Sequence, residues 1–254
     1  TDKYFIKASS TNGAASLTED KDRITMTAGG VQAIINKRTG FMDGYRIDNK
    51  SYFNGNPRPN FWRAPTDNDL ASEYRIEYSL SGDGALTVNV TYMAGPNELP
   101  EIPRFGMIMS LNKEFENFTY YGRGPLENYS DRNTASFTGI YESNVAAQYV
   151  PYTRPQENGY KTDVRWLTLT DNAGKGVRIE GLQPVCVSAL NNRPEDFDPG
   201  LTKKYRHTND ITPRNEVILC VDLLQRGVGG DNSWGALPHE QYRLKEKTYN
   251  YGFV

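Results

Sequence analysis

The 254-residue sequence is poor in the residue types that build metal and disulfide sites, with only two histidines and two cysteines. Two cysteines cannot form a disulfide framework. Cys186 and Cys220 each lie in an apolar run, so we expect both to be buried free thiols. The sequence also lacks the His/Cys spacing of a zinc site, the EF-hand loop, the phosphate-binding glycine loop and the Gly-x-Ser-x-Gly nucleophile motif. We therefore predict no metal site in this chain.

The chain also lacks a surplus of charge of either sign and lacks a long apolar run. Its 29 basic and 31 acidic residues leave a net charge of −2, which argues against binding to nucleic acid or to a membrane surface. No run approaches the roughly 20 apolar residues that cross a membrane. The first residues show no signal-peptide pattern. We expect neither a nucleic acid nor a membrane as partner.

What the sequence does contain is a repeated alternation of apolar and polar residues. A period of two is typical of strands that turn one face to a core and the other to solvent. Turn-forming residues separate the runs, and only residues 194–197 favour a helical turn. The pattern predicts an all-β fold, a large antiparallel β-sandwich in which residues 1–254 form a single domain. The alternating runs are 23–27, 86–92, 105–111, 177–180, 217–223 and 249–253.

The most informative segment is GGDNSW, residues 229–234. Its glycine pair permits backbone angles that other residues avoid, and Asp231 and Asn232 can stiffen a turn through hydrogen bonds to their own backbone. Trp234 on such a loop is costly to leave in water unless something packs on it. The segment favours an aromatic platform on a rigid loop, a surface on which sugar rings dock. The alternative is a core tryptophan under the loop.

Two further segments join polar side chains to aromatic ones. In residues 60–69, Arg63 with Asp67 or Asp69 could form an ion pair, an acid–base pair or a cation site, but a turn built by Asp and Asn is favoured. Residues 120–132 could line a sugar-binding face. A buried loop anchored by Arg–carboxylate pairs is slightly favoured for that segment.

Gln156, Glu157 and Asn158 form a second group of candidates, because amide and acid side chains read sugar hydroxyls. They are equally ordinary turn residues before a strand. His207, beside Asp210, could carry a proton. A role as a simple hydrogen-bonding residue is favoured for a lone loop histidine.

Taken together, these segments resemble one family over most of the chain. The sequence is similar to the C-terminal domain of the large β-galactosidases of glycoside hydrolase family 2, also called the β-galactosidase small chain, and among these to versions from Bacteroides-like bacteria. The matching stretches, in family order, are NFWRAPTDND, YYGRGPLENYSDR, YVPYTRPQENGYKTDVRW, HTND and GVGGDNSW. The resemblance implies a galactose-mutarotase-like supersandwich. It also implies that the two catalytic glutamates lie in a separate barrel domain, so this chain holds no catalytic residue.

The resemblance also assigns roles to particular residues. Trp234, with Asp231 and Asn232 in its loop, is implied to bind the galactoside at the mouth of the barrel, and Ser72 and Glu73 to belong to a lid. After Arg75 the family continues through a longer aromatic and basic stretch that is absent here. Magnesium and sodium of the full enzyme are implied to be bound mainly by other domains, so this chain holds no cofactor.

The resemblance further implies binding partners and a substrate for this chain. Its partners are the other domains or the large subunit of a β-galactosidase, its substrate is a galactoside, and the full enzyme is an oligomer. The chain is then a piece of a larger bacterial protein of the cytoplasm or the periplasm.

Two other functions remain open from the residues. A free-standing aldose 1-epimerase would need a histidine and a glutamate converging on the sugar, and His207 with Glu157 or Glu240 are the candidates. A non-catalytic carbohydrate-binding module would bind galactose or lactose by itself.

Overall fold

The computed structural model describes residues 13–61, 72–95, 101–198, 207–232 and 234–254. Within these ranges the chain is built from fifteen strands and one short α-helix. The alternating runs of the sequence form strands, as predicted, and the predicted helical turn at 194–197 is α1. None of the described helices has the length and apolar character needed to cross a membrane.

The bounds of the elements are as follows. The strands are β1 (Ser16–Glu19), β2 (Arg23–Ala28), β3 (Val31–Asn36), β4 (Met42–Ile47), β5 (Lys50–Ser51), β6 (Phe53–Asn60), β7 (Glu73–Leu80), β8 (Leu86–Met93), β9 (Arg104–Asn112), β10 (Asn117–Gly124), β11 (Phe137–Asn144), β12 (Lys161–Thr170), β13 (Gly176–Leu190), β14 (Glu216–Gln225) and β15 (Thr248–Phe253), and the helix is α1 (Pro194–Phe197).

The first five strands form an antiparallel meander in which each strand pairs with its neighbour in sequence. The inward side chains of β3 are Val31, Ala33 and Ile35, every second residue, and all three are buried. Tyr52, which follows β5, stacks on Phe115 in the connection between β9 and β10, with ring centroids 5.1 Å apart. The small sheet is thereby joined to the main core.

The larger sheet contains ten of the described strands and divides at β13. Its main path runs β11-β10-β12-β13-β14-β9-β6. β13 is fifteen residues long, so one part of it pairs with β14 while Gly181 pairs with Phe253 of β15. β15 continues the second branch through β8 to β7. All pairs are antiparallel, which confirms the predicted fold class.

The two branches of this sheet face each other across an aromatic core. Phe105 of β9 is fully buried, with its ring centroid 5.6 Å from Tyr249 and 5.4 Å from Tyr251, both of β15. The Tyr251 hydroxyl donates a 2.9 Å hydrogen bond to the Val221 carbonyl of β14, so the core tyrosine also satisfies its polar atom. This core fixes β9 and β14, whose ends carry the site described below.

Both cysteines are free thiols, as predicted, with Cys220 buried and Cys186 half-buried. Burial raises the pKa of each thiol to about 12, so both stay protonated at neutral pH. Parts of the motifs YYGRGPLENYSDR and YVPYTRPQENGYKTDVRW lie in strands. Residues 121–124 close β10, and residues 161–163 open β12. In these strands the polar motif residues are followed or preceded by apolar ones. The strand ends were therefore hard to recognise within the motifs.

Candidate functional site

Trp234 is the most exposed large apolar side chain among the described residues, with 94% of its surface in solvent. It lies in the loop that follows β14. The Asn232 side-chain oxygen accepts a 2.8 Å hydrogen bond from the Trp234 N–H, which closes the predicted Asx-type turn. The structure therefore places Trp234 outside the core and contradicts the core-tryptophan alternative.

The loop that carries Trp234 is held at three points. Asp131 accepts a 2.7 Å hydrogen bond from the Gly229 N–H, and the Gly227 N–H donates to the Tyr242 carbonyl at 2.9 Å. Asp231 lies 2.9 Å from the Nε2 of His239, although both side chains are exposed and such a pair contributes little energy. Asp231 and Asn232 thus shape the loop that presents Trp234.

The glycines of this loop act differently from the sequence expectation. Neither residue of the pair 229–230 has a positive φ; the left-handed backbone lies at Gly235, with φ of +96°. Gly230 is needed for close approach instead, because a Cβ there would lie 2.3 Å from the Ala236 carbonyl oxygen. The two sides of the loop consequently touch each other.

Beside this loop lies a cleft of about 730 Å³. It brings together three motifs that are far apart in the sequence, and it is bounded by one end of the β9–β14 pair. Arg104 opens β9 and Gln225 closes β14, and the two are register partners. The lining positions are 103–104, 131–132, 152, 156–157, 225–230, 232 and 235–238. A concave site with a few converging polar groups is where proteins bind small molecules.

A buried ion cluster forms the floor of the cleft. The Arg104 guanidinium is 2% exposed and lies 2.7 Å from Glu157 and 3.1 Å from Asp222. It also donates to the side-chain oxygen of Gln225. The Tyr160 hydroxyl donates a 3.0 Å hydrogen bond to Asp222. Each of these side chains has at least one partner, although Oδ1 of Asp222 is buried without one in the described part of the chain, so the network holds the floor in place.

One cation shared by two carboxylates sets the electrostatics of this cluster. Burial raises the pKa of Asp222 to about 7, and the opposing attraction of Arg104 is divided between Asp222 and Glu157. The same two carboxylates hold the pKa of Arg104 above its usual value, against the effect of burial. Arg104 remains charged, and Asp222 is the group that exchanges a proton near neutrality.

The segment 120–132 is largely scaffold, in agreement with the favoured interpretation. Glu127 accepts hydrogen bonds from Tyr152, Arg132 and the Gly159 N–H. Asn128 is fully buried and accepts hydrogen bonds from the backbone and hydroxyl of Thr162. These bonds join the segment to residues 152–162, so the two motifs fold as one unit.

The other candidates lie away from the cleft lining. Ser72 bonds the Tyr92 hydroxyl at 3.2 Å, and Glu73 begins β7 opposite Met93. His207 lies in a short 3-10 turn, where its N–H donates to Asp210. Glu240 pairs with Arg243 and Lys245. The predicted sites at Arg63, Asp67 and Asp69 lie outside the described residues.

The chain also matches a known protein family. A family model described as the beta galactosidase small chain matches residues 27–76 and 70–254. The chain belongs to the β-galactosidase small chain family. The two matched segments overlap at residues 70–76.

Relatives of this small chain are named as β-galactosidases. The chain is 33% identical to a β-galactosidase of Priestia megaterium over 90% of its own length and 26% of the relative's. It is 34% identical to β-galactosidase BgaC of Bifidobacterium adolescentis over 66% of this chain and 16% of that protein. The β-galactosidase of Lactobacillus delbrueckii subsp. bulgaricus is 26% identical over 91% of this chain and 27% of its own length. The small chain thus spans about a quarter or less of these relatives.

Sequence reasoning missed three residues of the cleft floor, namely Arg104, Asp222 and Gln225. All three belong to largely apolar strands, Asp222 within β14 and the other two at strand ends, so none belongs to a conspicuous motif. One signal was available. Asp222 interrupts the apolar run VILCVDLL, and a charge within such a run has to find a partner.

Among the described residues, no group of three or more His, Cys, Asp or Glu side chains could hold a metal ion.

Proposed function

We propose that this chain is the part of a larger β-galactosidase that completes the rim of the galactoside site. The family and the β-galactosidase names of its relatives support this role. So does the share of those relatives that the chain spans, 26% of the first. The remaining domains, or a separate large subunit, would be the partners of this chain within an oligomeric enzyme.

The observation that carries the proposal is the exposure of Trp234 on a braced loop. An indole that is 94% exposed has no close packing among the described residues, yet Asp131 and Asn232 hold the backbone of its loop in place. A fixed aromatic ring can stack on a sugar ring, and a stacked aromatic pair contributes roughly 0.5–1.5 kcal/mol beyond its buried area. Trp234 would act as the platform for the galactoside, with Asp231 and Asn232 as its support.

The acid and the nucleophile of the reaction would come from outside this chain. Retaining glycoside hydrolysis needs two carboxyl groups about 5 Å apart on either side of the scissile bond. The acidic side chains at the cleft are engaged in structure, since Glu157 pairs with Arg104 and Asp131 holds the Gly229 N–H. Magnesium and sodium are likewise assigned to other parts of the enzyme. Ser72 and Glu73 stay candidates for a lid over the site.

The test compares this chain alone with the longer protein that contains it. We expect the longer protein to hydrolyse a chromogenic β-galactoside and this chain alone to leave it intact. Polarimetry on freshly dissolved α-galactose would detect an epimerase activity of the chain alone, and we expect none. Hydrolysis or anomer interconversion by the isolated chain would overturn the proposal.

A further inference from the structure

The cleft next to the Trp234 loop contains hydrogen-bonding atoms that have no role in the proposed rim function. Glu157 is 22% exposed and spends one carboxylate oxygen, Oε1, on Arg104. The side-chain oxygen of Gln225 accepts a hydrogen bond from the same guanidinium. Among the described residues, Oε2 of Glu157 and the amide nitrogen of Gln225 have no hydrogen-bond partner. An acceptor and a donor thus lie together on the floor, held by one buried arginine.

The charges at the cleft select against an anionic ligand. Three arginines line it, and each one is already paired with a carboxylate. Arg104 pairs with Glu157 and Asp222, Arg132 with Glu127, and Arg226 with Glu101. Among the described residues, none of these three arginines is left over to bind a phosphate or a carboxylate. Two lining carboxylates have no described cation of their own, since Asp131 accepts the Gly229 N–H and Glu157 shares Arg104 with Asp222. The cleft therefore selects against an anionic ligand.

The size and the hydrogen-bonding groups narrow the ligand further. A volume of about 730 Å³ lies within the range of pockets for small organic molecules. A hydroxyl group is both a donor and an acceptor, so adjacent hydroxyls match a surface that alternates the two roles. Gln156, whose amide nitrogen bonds the Arg154 carbonyl, adds an acceptor at the wall. Val228 and Leu237, each about half exposed, supply an apolar side against which a sugar ring can lie.

We propose that this cleft is a binding site for a neutral mono- or disaccharide, with Glu157 and Gln225 reading its hydroxyls. The site differs from the Trp234 platform, because the Trp234 side chain does not line the cleft. It also goes beyond the rim function, since it requires no group from another domain. The Asp131 bond to Gly229 belongs to both, because that bond shapes one wall of the cleft and the loop of the platform.

The test is a titration of the protein with galactose and with lactose, followed through backbone and side-chain amide signals in NMR. We expect saturable shifts at Gln225 and at Gly227, Gly229 and Gly230, with a dissociation constant of order millimolar. Inorganic phosphate, as an anionic probe of similar concentration, should leave these signals unchanged. Shifts absent well above millimolar saccharide, or equal shifts with phosphate, would overturn the proposal.

Variants separate the cleft from the platform. Glu157→Gln keeps the shape and should weaken binding about tenfold, because a charged acceptor forms the stronger hydrogen bond. Gln156→Ala, at a more exposed position, should weaken it about threefold. Gln32→Ala, in the five-stranded sheet, is the matched control and should change nothing. Unweakened binding in both cleft variants would show that the saccharide lies elsewhere.

Trp234→Ala distinguishes this proposal from the rim function. Saccharide binding at the cleft should be unchanged in this variant, whereas the rim function predicts a change in galactoside hydrolysis by the longer protein. A loss of cleft signals in Trp234→Ala would place the sugar on the platform and overturn the separate site. The rim function would stand in that case.

Discussion

At the scale of single residues, the surroundings of Asp222 raise the pKa of its carboxyl group. Its carboxyl group is fully buried, and its one cation, Arg104, is also bonded to Glu157. Two ionised carboxylates and one guanidinium would leave a net negative charge around a fully buried carboxyl group. A proton on Asp222 removes that charge, which is why burial raises its pKa to about 7.

This pKa predicts a pH dependence of stability. Between about pH 4 and pH 7 the folded state keeps the Asp222 proton while the unfolded state releases it, so this group makes the fold less stable as pH rises. The slope for one proton is at most about 1.4 kcal/mol per pH unit. Asp222→Asn, which cannot ionise and still offers an oxygen to Tyr160, should remove that slope. Urea unfolding of both proteins at several pH values measures the difference, and identical slopes would refute the assignment.

The burial of Lys161 predicts that replacing this residue changes the free energy of unfolding. The side chain is 2% exposed and has no ion pair among the described residues, and burial lowers its pKa to about 8. Lys161→Met should raise the free energy of unfolding at neutral pH, because no charge then needs to be buried. The gain should shrink above pH 8, where the native lysine is already neutral while the unfolded one is still charged.

The melting temperature measures this gain, at about 2–4 °C per kcal/mol for a chain of this size. Lys175→Met, at an exposed turn position, is the matched control and should leave the melting temperature nearly unchanged. A lower melting temperature for Lys161→Met would show that the ammonium group has a stabilising partner.

At the scale of elements, the loop after β14 depends on a segment almost one hundred residues earlier. Asp131 accepts the Gly229 N–H at 2.7 Å, and hydrogen bonds to charged groups contribute about 1.5–3 kcal/mol. Asp131→Ala should loosen the loop, speed proteolysis within residues 227–238 and raise the KM of the longer protein for a galactoside. Asp131→Asn keeps an acceptor oxygen and should behave nearly as wild type. Equal KM values for all three proteins would contradict a positioning role.

The elements also show how far the sequence predicted the structure. Strand faces follow from local alternation, so β8, β9 and β14 were predictable from runs such as Leu86 to Tyr92. The branching of the sheet at β13 was not, because it depends on which distant strands pair with each part of one long strand. The cleft floor was missed for the same reason. Arg104, Glu157 and Asp222 meet only when β9, β14 and the loop before β12 come together.

At the scale of the whole molecule, the chain is a folded sandwich that presents an exposed tryptophan on a hydrogen-bonded loop. The exposed position of Trp234 on its loop agrees with the prediction from residues 229–234 alone, whereas its role as a platform stays a prediction. What packs there could not be predicted from composition. The family supplies the proposal that it is a galactoside held between this chain and another part of the enzyme.

The KM of the longer protein for a β-galactoside, with and without the Trp234 side chain, tests that claim most directly. We expect Trp234→Ala to raise KM about three- to tenfold while kcat changes less, and Trp234→Phe to recover most of the loss. Phe137→Ala, which removes another exposed aromatic ring on β11, is the control and should leave KM unchanged. An unchanged KM in Trp234→Ala would contradict the placement of Trp234 at the galactoside site.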